Sequence, residues 1–159
     1  ALAQVEIYIP NAMLYIAPFY EYASFSYDGF GSESENDWGT AIGITPIDGL
    51  RIATTWSDEV DYELNLEAKY VVKLAGETAL NFDFGYQKSP DSEFDDTIGA
   101  AVDYYFDRTF SVGIELEDSS DTGVGIRTEK FFTEQFHMLA RYFTVDDVNM
   151  WTIGAAYRF

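Results

Sequence analysis

The chain contains no cysteine. That removes a disulfide framework, a thiol nucleophile and a thiolate metal site at once. Basic residues are scarce: nine Lys and Arg stand against 28 Asp and Glu, for a formal charge of −19. Phosphate backbones are gripped by clustered Lys and Arg, so nucleic acid is not an expected partner. No run of 18 apolar residues occurs, which excludes a transmembrane helix. It does not exclude a membrane, because a β-barrel crosses in many short alternating strands and its average hydropathy looks soluble.

Aromatic residues are abundant: 12 Tyr, 13 Phe and 3 Trp make up 18% of the chain, which argues against disorder. At 159 residues a single domain, 1–159, is expected. Period-two alternation recurs almost throughout and helical spacing almost nowhere. Strands are expected near 12–28, 38–46, 50–57, 61–74, 78–88, 97–106, 109–117, 122–131, 135–144 and 149–159. Their connections alternate in character. Asp28–Asp37, Asp58–Asp61, Ser89–Asp96, Glu117–Asp121 and Val145–Val148 are acidic and hold 16 of the 28 carboxylates. Between them lie tight turns at 46–49, 75–77, 107–108 and 132–134. This is the rhythm of an antiparallel up-and-down meander, and about ten strands return both termini to one side. Eight or twelve stay open, because Val5, Ile7 and Ile9 alternate too and Pro18 removes a ladder donor. Residues 1–11 fit an N-terminal extension or an extra strand.

One face of the expected strands is apolar, with Leu66, Tyr70, Val72, Phe82, Phe84, Ile98, Val102, Val112 and Ile114. The other carries Glu21, Arg51, Glu63, Glu67, Lys69, Lys73, Asp83, Asp103, Glu115, Arg127, Glu129, Arg141 and Arg158, with small residues between. His137 is expected on that face, hydrogen-bonded to a carboxylate. Alternation alone fits a soluble sandwich as well. Mixed charge among small residues suits a narrow lumen. The aromatics are also sorted by height: Trp38, Trp56 and Trp151 share the acidic-loop end, and Phe106, Phe110, Phe136, Tyr157 and Phe159 the other. Two such belts are what the two interfaces of a bilayer select.

The final stretch alternates through Trp151, Ile153, Ala155 and Tyr157 and closes on Phe159. It resembles the carboxy-terminal signature of bacterial outer-membrane β-barrel proteins. The resemblance implies a Gram-negative outer membrane and contact with the lipid bilayer and lipopolysaccharide. It also implies a last strand read by the barrel assembly machinery, periplasmic termini and outward acidic loops. The expected fold class is all-β, a single antiparallel transmembrane barrel. Closure is required there, since an open edge in hydrocarbon leaves backbone groups unpaired.

Function follows from the lumen. Lipase-type barrels of similar architecture use a Ser–His pair near the outer rim, but His137 lies near the other end without a His-x-Ser pattern. A base must sit within hydrogen-bond reach of its nucleophile, so no enzyme and no cofactor are expected. Asp91, Glu93, Asp95 and Asp96 have the alternation of a calcium loop, yet lack the central Gly and closing Glu of an EF-hand. Divalent cations are weak candidates there, and a solvated repulsive rim is the plainer reading. An acidic rim concentrates cations at a pore mouth. The expected activity is porin-like passage of water and small cations through a narrow charged lumen. The alternatives are a plugged structural or docking barrel, then an outer-leaflet lipid hydrolase.

Overall fold

Alternating sequences satisfy a sheet when its two faces meet different surroundings. A computed structural model describes residues 13–27, 29, 31–47, 49–57, 64–89, 95–157 and 159. Within them ten antiparallel strands pair each to the next and β1 to β10, closing a barrel. They are β1 (Met13–Tyr27), β2 (Gly31–Ile47), β3 (Leu50–Ser57), β4 (Leu64–Lys73), β5 (Ala79–Lys88), β6 (Thr97–Asp107), β7 (Phe110–Asp118), β8 (Thr122–Phe131), β9 (Phe136–Val145) and β10 (Val148–Tyr157). The expected ten-strand barrel and most strand bounds agree with this.

The clear correction is β2. The acidic stretch expected as a loop through Asp37 is strand from Gly31 onward, laddered to β1 from Tyr27↔Gly31 to Glu21↔Asp37. A ladder needs only backbone groups and a partner. Residues 31–36 are exposed on both faces, so they carry no apolar period to announce a strand. β1 and β2 thus run to 15 and 17 residues, longer than the 9–11 or so that cross a bilayer. At the other end Pro46 falls where the β2–β3 register shifts, a place where a missing ladder donor is tolerated. Gly49 closes that turn with φ of 82°, a left-handed backbone that suits glycine. Pro18 sits beside the β1–β10 ladder, which begins at Phe19↔Ala156.

The barrel is apolar outside and polar inside. Ile114 is 65% exposed on the outer wall and Asp103 1% on the inner. A water-soluble barrel would reverse this; hydrocarbon around the wall requires it. Trp38 meets Trp56 edge-on at 5.8 Å, and Trp151 packs on Tyr142 at 4.6 Å, toward the acidic-loop end. Toward the other end Phe106 stacks on Phe110 at 5.6 Å, Phe132 lies 5.8 Å from Phe136, and Tyr157 is 4.9 Å from Phe159. The ladders are of uneven length. β4–β5 holds ten residue pairs, whereas β3–β4 holds four, from Leu50↔Tyr70 to Ala53↔Glu67.

Candidate functional site in the barrel interior

Inward positions on successive strands bring opposite charges together as a girdle. Arg127 of β8 grips Asp103 of β6 with two bonds, Nε to Oδ1 at 2.7 Å and Nη2 to Oδ2 at 2.5 Å. The same Nη2 reaches Asp83 of β5 at 3.1 Å, and Nη1 lies 3.8 Å from Glu115 of β7. Asp83 also faces Lys69 of β4 at 3.7 Å, and Asn81 donates to Asp103 at 2.9 Å. The chain of pairs continues to both sides. Glu67 is bonded to Arg51 of β3, and Glu115 to Arg141 of β9, whose Nη2 is 3.5 Å from Glu117. Such bidentate, charge-assisted contacts are the strong kind. They also compensate the desolvation of groups such as Asp103, only 1% exposed.

Small residues make the room. A Cβ on Gly125 would sit 2.7 Å from the Tyr142 carbonyl oxygen and 2.8 Å from both Glu115 Oε1 and Phe143 Cδ2. Gly125→Ala is therefore expected to lower stability by about 1–3 kcal/mol, the usual cost of overpacking. Gly85→Ala, with nothing within 4 Å, serves as the neutral control. Heating before an unboiled gel, scored by loss of the folded band, checks both.

The girdle crosses β3 to β9; the wall formed by β10, β1 and β2 mixes small inward residues with Phe19 and Phe25, which line the cavities beside it. Gly154, Thr152, Gly39 and Gly43 face inward there, with Glu21 directly opposite Asp37 across the β1–β2 ladder. Two cavities, of about 320 and 460 Å³, open between this wall and the girdle toward the acidic-loop end, and share Glu21, Asp37, Glu117, Arg141 and Thr152. At the opposite end the interior is packed. Tyr105 is fully buried, and Phe131, Val71 and Ala79 are nearly so. His137 stacks on Phe131 at 4.7 Å, with Nε2 3.9 Å from Glu129 Oε2.

A polar-lined, ion-paired interior inside an apolar cylinder is the plan of an outer-membrane pore. The family model described as "Putative general bacterial porin" matches residues 24–159. The chain belongs to this porin family. No curated protein matches this porin at a significant level. Among solved structures it is similar to Omp33 of Acinetobacter baumannii at 14% identity and TM-score 0.52, covering 94% of this chain and 99% of that one. It is similar also to the KdgM porin, at 11% identity and TM-score 0.54, with 91% and 99% covered. An outer-membrane channel from Pseudomonas putida F1 aligns at 12% and 0.53, covering 95% and 97%. At these identities the likeness shows the fold, and the family match places the porin in the bacterial outer membrane.

Of the side chains expected in the lumen, Glu21, Arg51, Glu67, Lys69, Asp83, Asp103, Glu115, Arg127, Glu129, His137 and Arg141 lie on inward positions. The girdle brings eight of them together. Lys73 is exposed at the short-turn rim. Glu63, Arg158, Asp91, Glu93 and residues 1–11 lie outside the described residues. Asp37, expected at the end of an acidic loop, and Glu117, expected where a strand passes into one, line the cavities as well. Continuing the period of two back from Gly39 and on from Glu115 would have put both inside.

The acidic rim holds no metal constellation among the described residues. Asp96 accepts from the Tyr86 hydroxyl at 2.7 Å and the Ser89 N–H at 3.1 Å, which keeps its carboxyl below the ordinary range. Asp146, in a left-handed turn at φ 48°, is pushed the other way by the charge of Asp121. A raised carboxyl value means repulsion that is absent in acid and grows as pH rises through it. Asp146→Asn should match the parent's thermal stability below pH 3.8, the ordinary Asp value, and exceed it near neutrality. Asn also accepts this backbone. High salt should close the gap.

Proposed function

We propose that this porin passes water and small cations through a narrow lumen, with its termini in the periplasm and its acidic connections outside. The observation that carries the reading is the pair of cavities beside the girdle, bordered by Glu21, Asp37 and Glu117. The acidic rim draws cations in, and the uneven lining of carboxylates against bound guanidiniums favours them over anions. The mechanism is passive and uses no cofactor; the stacking of His137 on Phe131 supports a packing role for that side chain. The exposed aromatics suit a bilayer edged by lipopolysaccharide, and β10 suits recognition by the barrel assembly machinery.

A second reading, a closed structural barrel, is favoured by the buried Tyr105 and Phe131 at the short-turn end. Single-channel recording in a planar bilayer under a salt gradient separates the two. Discrete steps with a cation-sided reversal potential support the pore. Silence from protein shown folded by its gel shift overturns it.

A further inference from the structure

Two residues beyond the girdle, toward the short-turn end, the interior changes character. On β5, β6 and β8 the girdle residues Asp83, Asp103 and Arg127 give way to Asn81, Tyr105 and Glu129. The ladders set Tyr105 beside Ser111 and Ser111 beside Glu129, so these positions form one row across β6, β7 and β8. Asn81 stands diagonally next to Tyr105, since its own ladder partner is Asp103. The row is desolvated: Asn81 and Tyr105 are fully buried, and Ser111 and Glu129 nearly so. Yet Asn81 Oδ1, Tyr105 Oη and Glu129 Oε2 take part in no hydrogen bond. Asn81 directs its amide N–H to Asp103. Among the described residues Glu129 is ion-paired with His137, Nε2 to Oε2 at 3.9 Å, too long for a hydrogen bond. On the far side of the ring, in β2, the buried Thr45 hydroxyl is unpartnered as well.

Protein interiors pair nearly all of their buried polar atoms. Four such oxygens at one end of one lumen are therefore not ordinary packing. Water or an ion travelling along the lumen between the two cavities and the short-turn mouth has to pass them. Charge is uneven there too. Glu129 is a carboxylate, while Lys69 and Arg127 of the girdle are held by Glu67, Asp83 and Asp103. We propose that this row is the constriction of the pore and selects monovalent cations: the Tyr105 ring sets its width, the unpartnered oxygens replace part of an ion's hydration, and Glu129 sets the sign. Pore-lining oxygens serve in this way wherever an ion sheds water to pass. The inference rests on the proposed passage of small cations and says where, and by which side chains, they are chosen.

Single-channel recording in planar bilayers under a potassium chloride gradient reads both parts. Tyr105→Ala removes the ring and should raise conductance about twofold or more. Glu129→Gln keeps the shape and removes the charge. It should lower the cation-to-anion permeability ratio by about fivefold, because a unit charge roughly 5 Å from the ion is only partly screened. Lys130→Met, at an exposed outer position, should change neither. Parental conductance in Tyr105→Ala overturns the constriction, and an unchanged reversal potential in folded Glu129→Gln overturns the assignment of sign. Should Tyr105→Ala fail to give the compact gel band, Tyr105→Leu shortens the side chain with less loss of contact and is read in the same way. The parent separates this inference from the pore reading. A silent parent beside a conducting Tyr105→Ala barrel counts against conduction by the parent alone and supports the row as the narrowest point. Silence from both, each shown folded, overturns the two together.

Discussion

Replacing Arg127 by Met should lower the stability of the folded barrel by about 3–5 kcal/mol, the range found when one partner of a buried ion pair is removed. Met preserves much of the side-chain bulk, so the loss is one of charge and hydrogen bonds. Asp103 would keep Asn81 as its neutral donor at 2.9 Å, and Asp83 only Lys69, 3.7 Å away. Two carboxylates would then stand in the interior with too little positive charge between them. Arg127→Lys returns the charge without the planar fork and should fall between. Lys130→Met, which removes an exposed cation bonded to Thr109 on the outer wall, should cost well under about 1 kcal/mol. The temperature at which the compact gel band disappears ranks the four proteins. If the Arg127 and Lys130 variants fell together, the girdle would not be what holds the interior.

The second large effect is on ions. Glu21→Lys should move the cation-to-anion permeability ratio toward anions by roughly fivefold. A unit charge about 8 Å from a passing ion in water is worth about 0.5 kcal/mol, and salt near 0.1 M roughly halves that. Turning −1 into +1 raises the energy of a cation and lowers that of an anion by similar amounts, about 1 kcal/mol in the ratio. Glu21 is well placed for the exchange because it stands opposite Asp37 on the adjoining strand. Like charges so placed repel; the substitution replaces that repulsion by attraction but gives up the attraction of Glu21 to Arg141, so the gel shift of the variant is checked first. An unchanged reversal potential, measured on protein so shown to be folded, would remove Glu21 from the ion path.

Much of the architecture was legible because a barrel in oil writes one rule on every strand. Leu66, Ala68, Tyr70 and Val72 against Glu67, Lys69 and Val71 give face, strand and membrane together. What escaped was whatever this rule does not govern. Residues 31–36 are strand without alternation, since both faces are exposed. The grouping of interior charges escaped for a different reason. Arg127 and Asp83 are 44 residues apart and meet only because two intervening strands carry Asp103 and Glu115 at matching heights. Register is needed for that, and a repeat of two leaves register free to slip by any even number. The early end of the β3–β4 ladder at Ala53↔Glu67 was hidden similarly, because no residue type marks a ladder that stops early.

The girdle has a consequence for how the cylinder is made. The ion pairs of the girdle join strands from β3 to β9. A seven-strand sheet can therefore curl and neutralise its own concave side while the ring is still incomplete. When the first and last strands finally meet, they bring Ala17, Ala23, Gly154 and Ala156 and two backbone edges. Glu21 is the single charge among their described inward residues. Ring closure becomes a step of zipping alone, and the half-built intermediate need not hold bare charge against lipid while it waits.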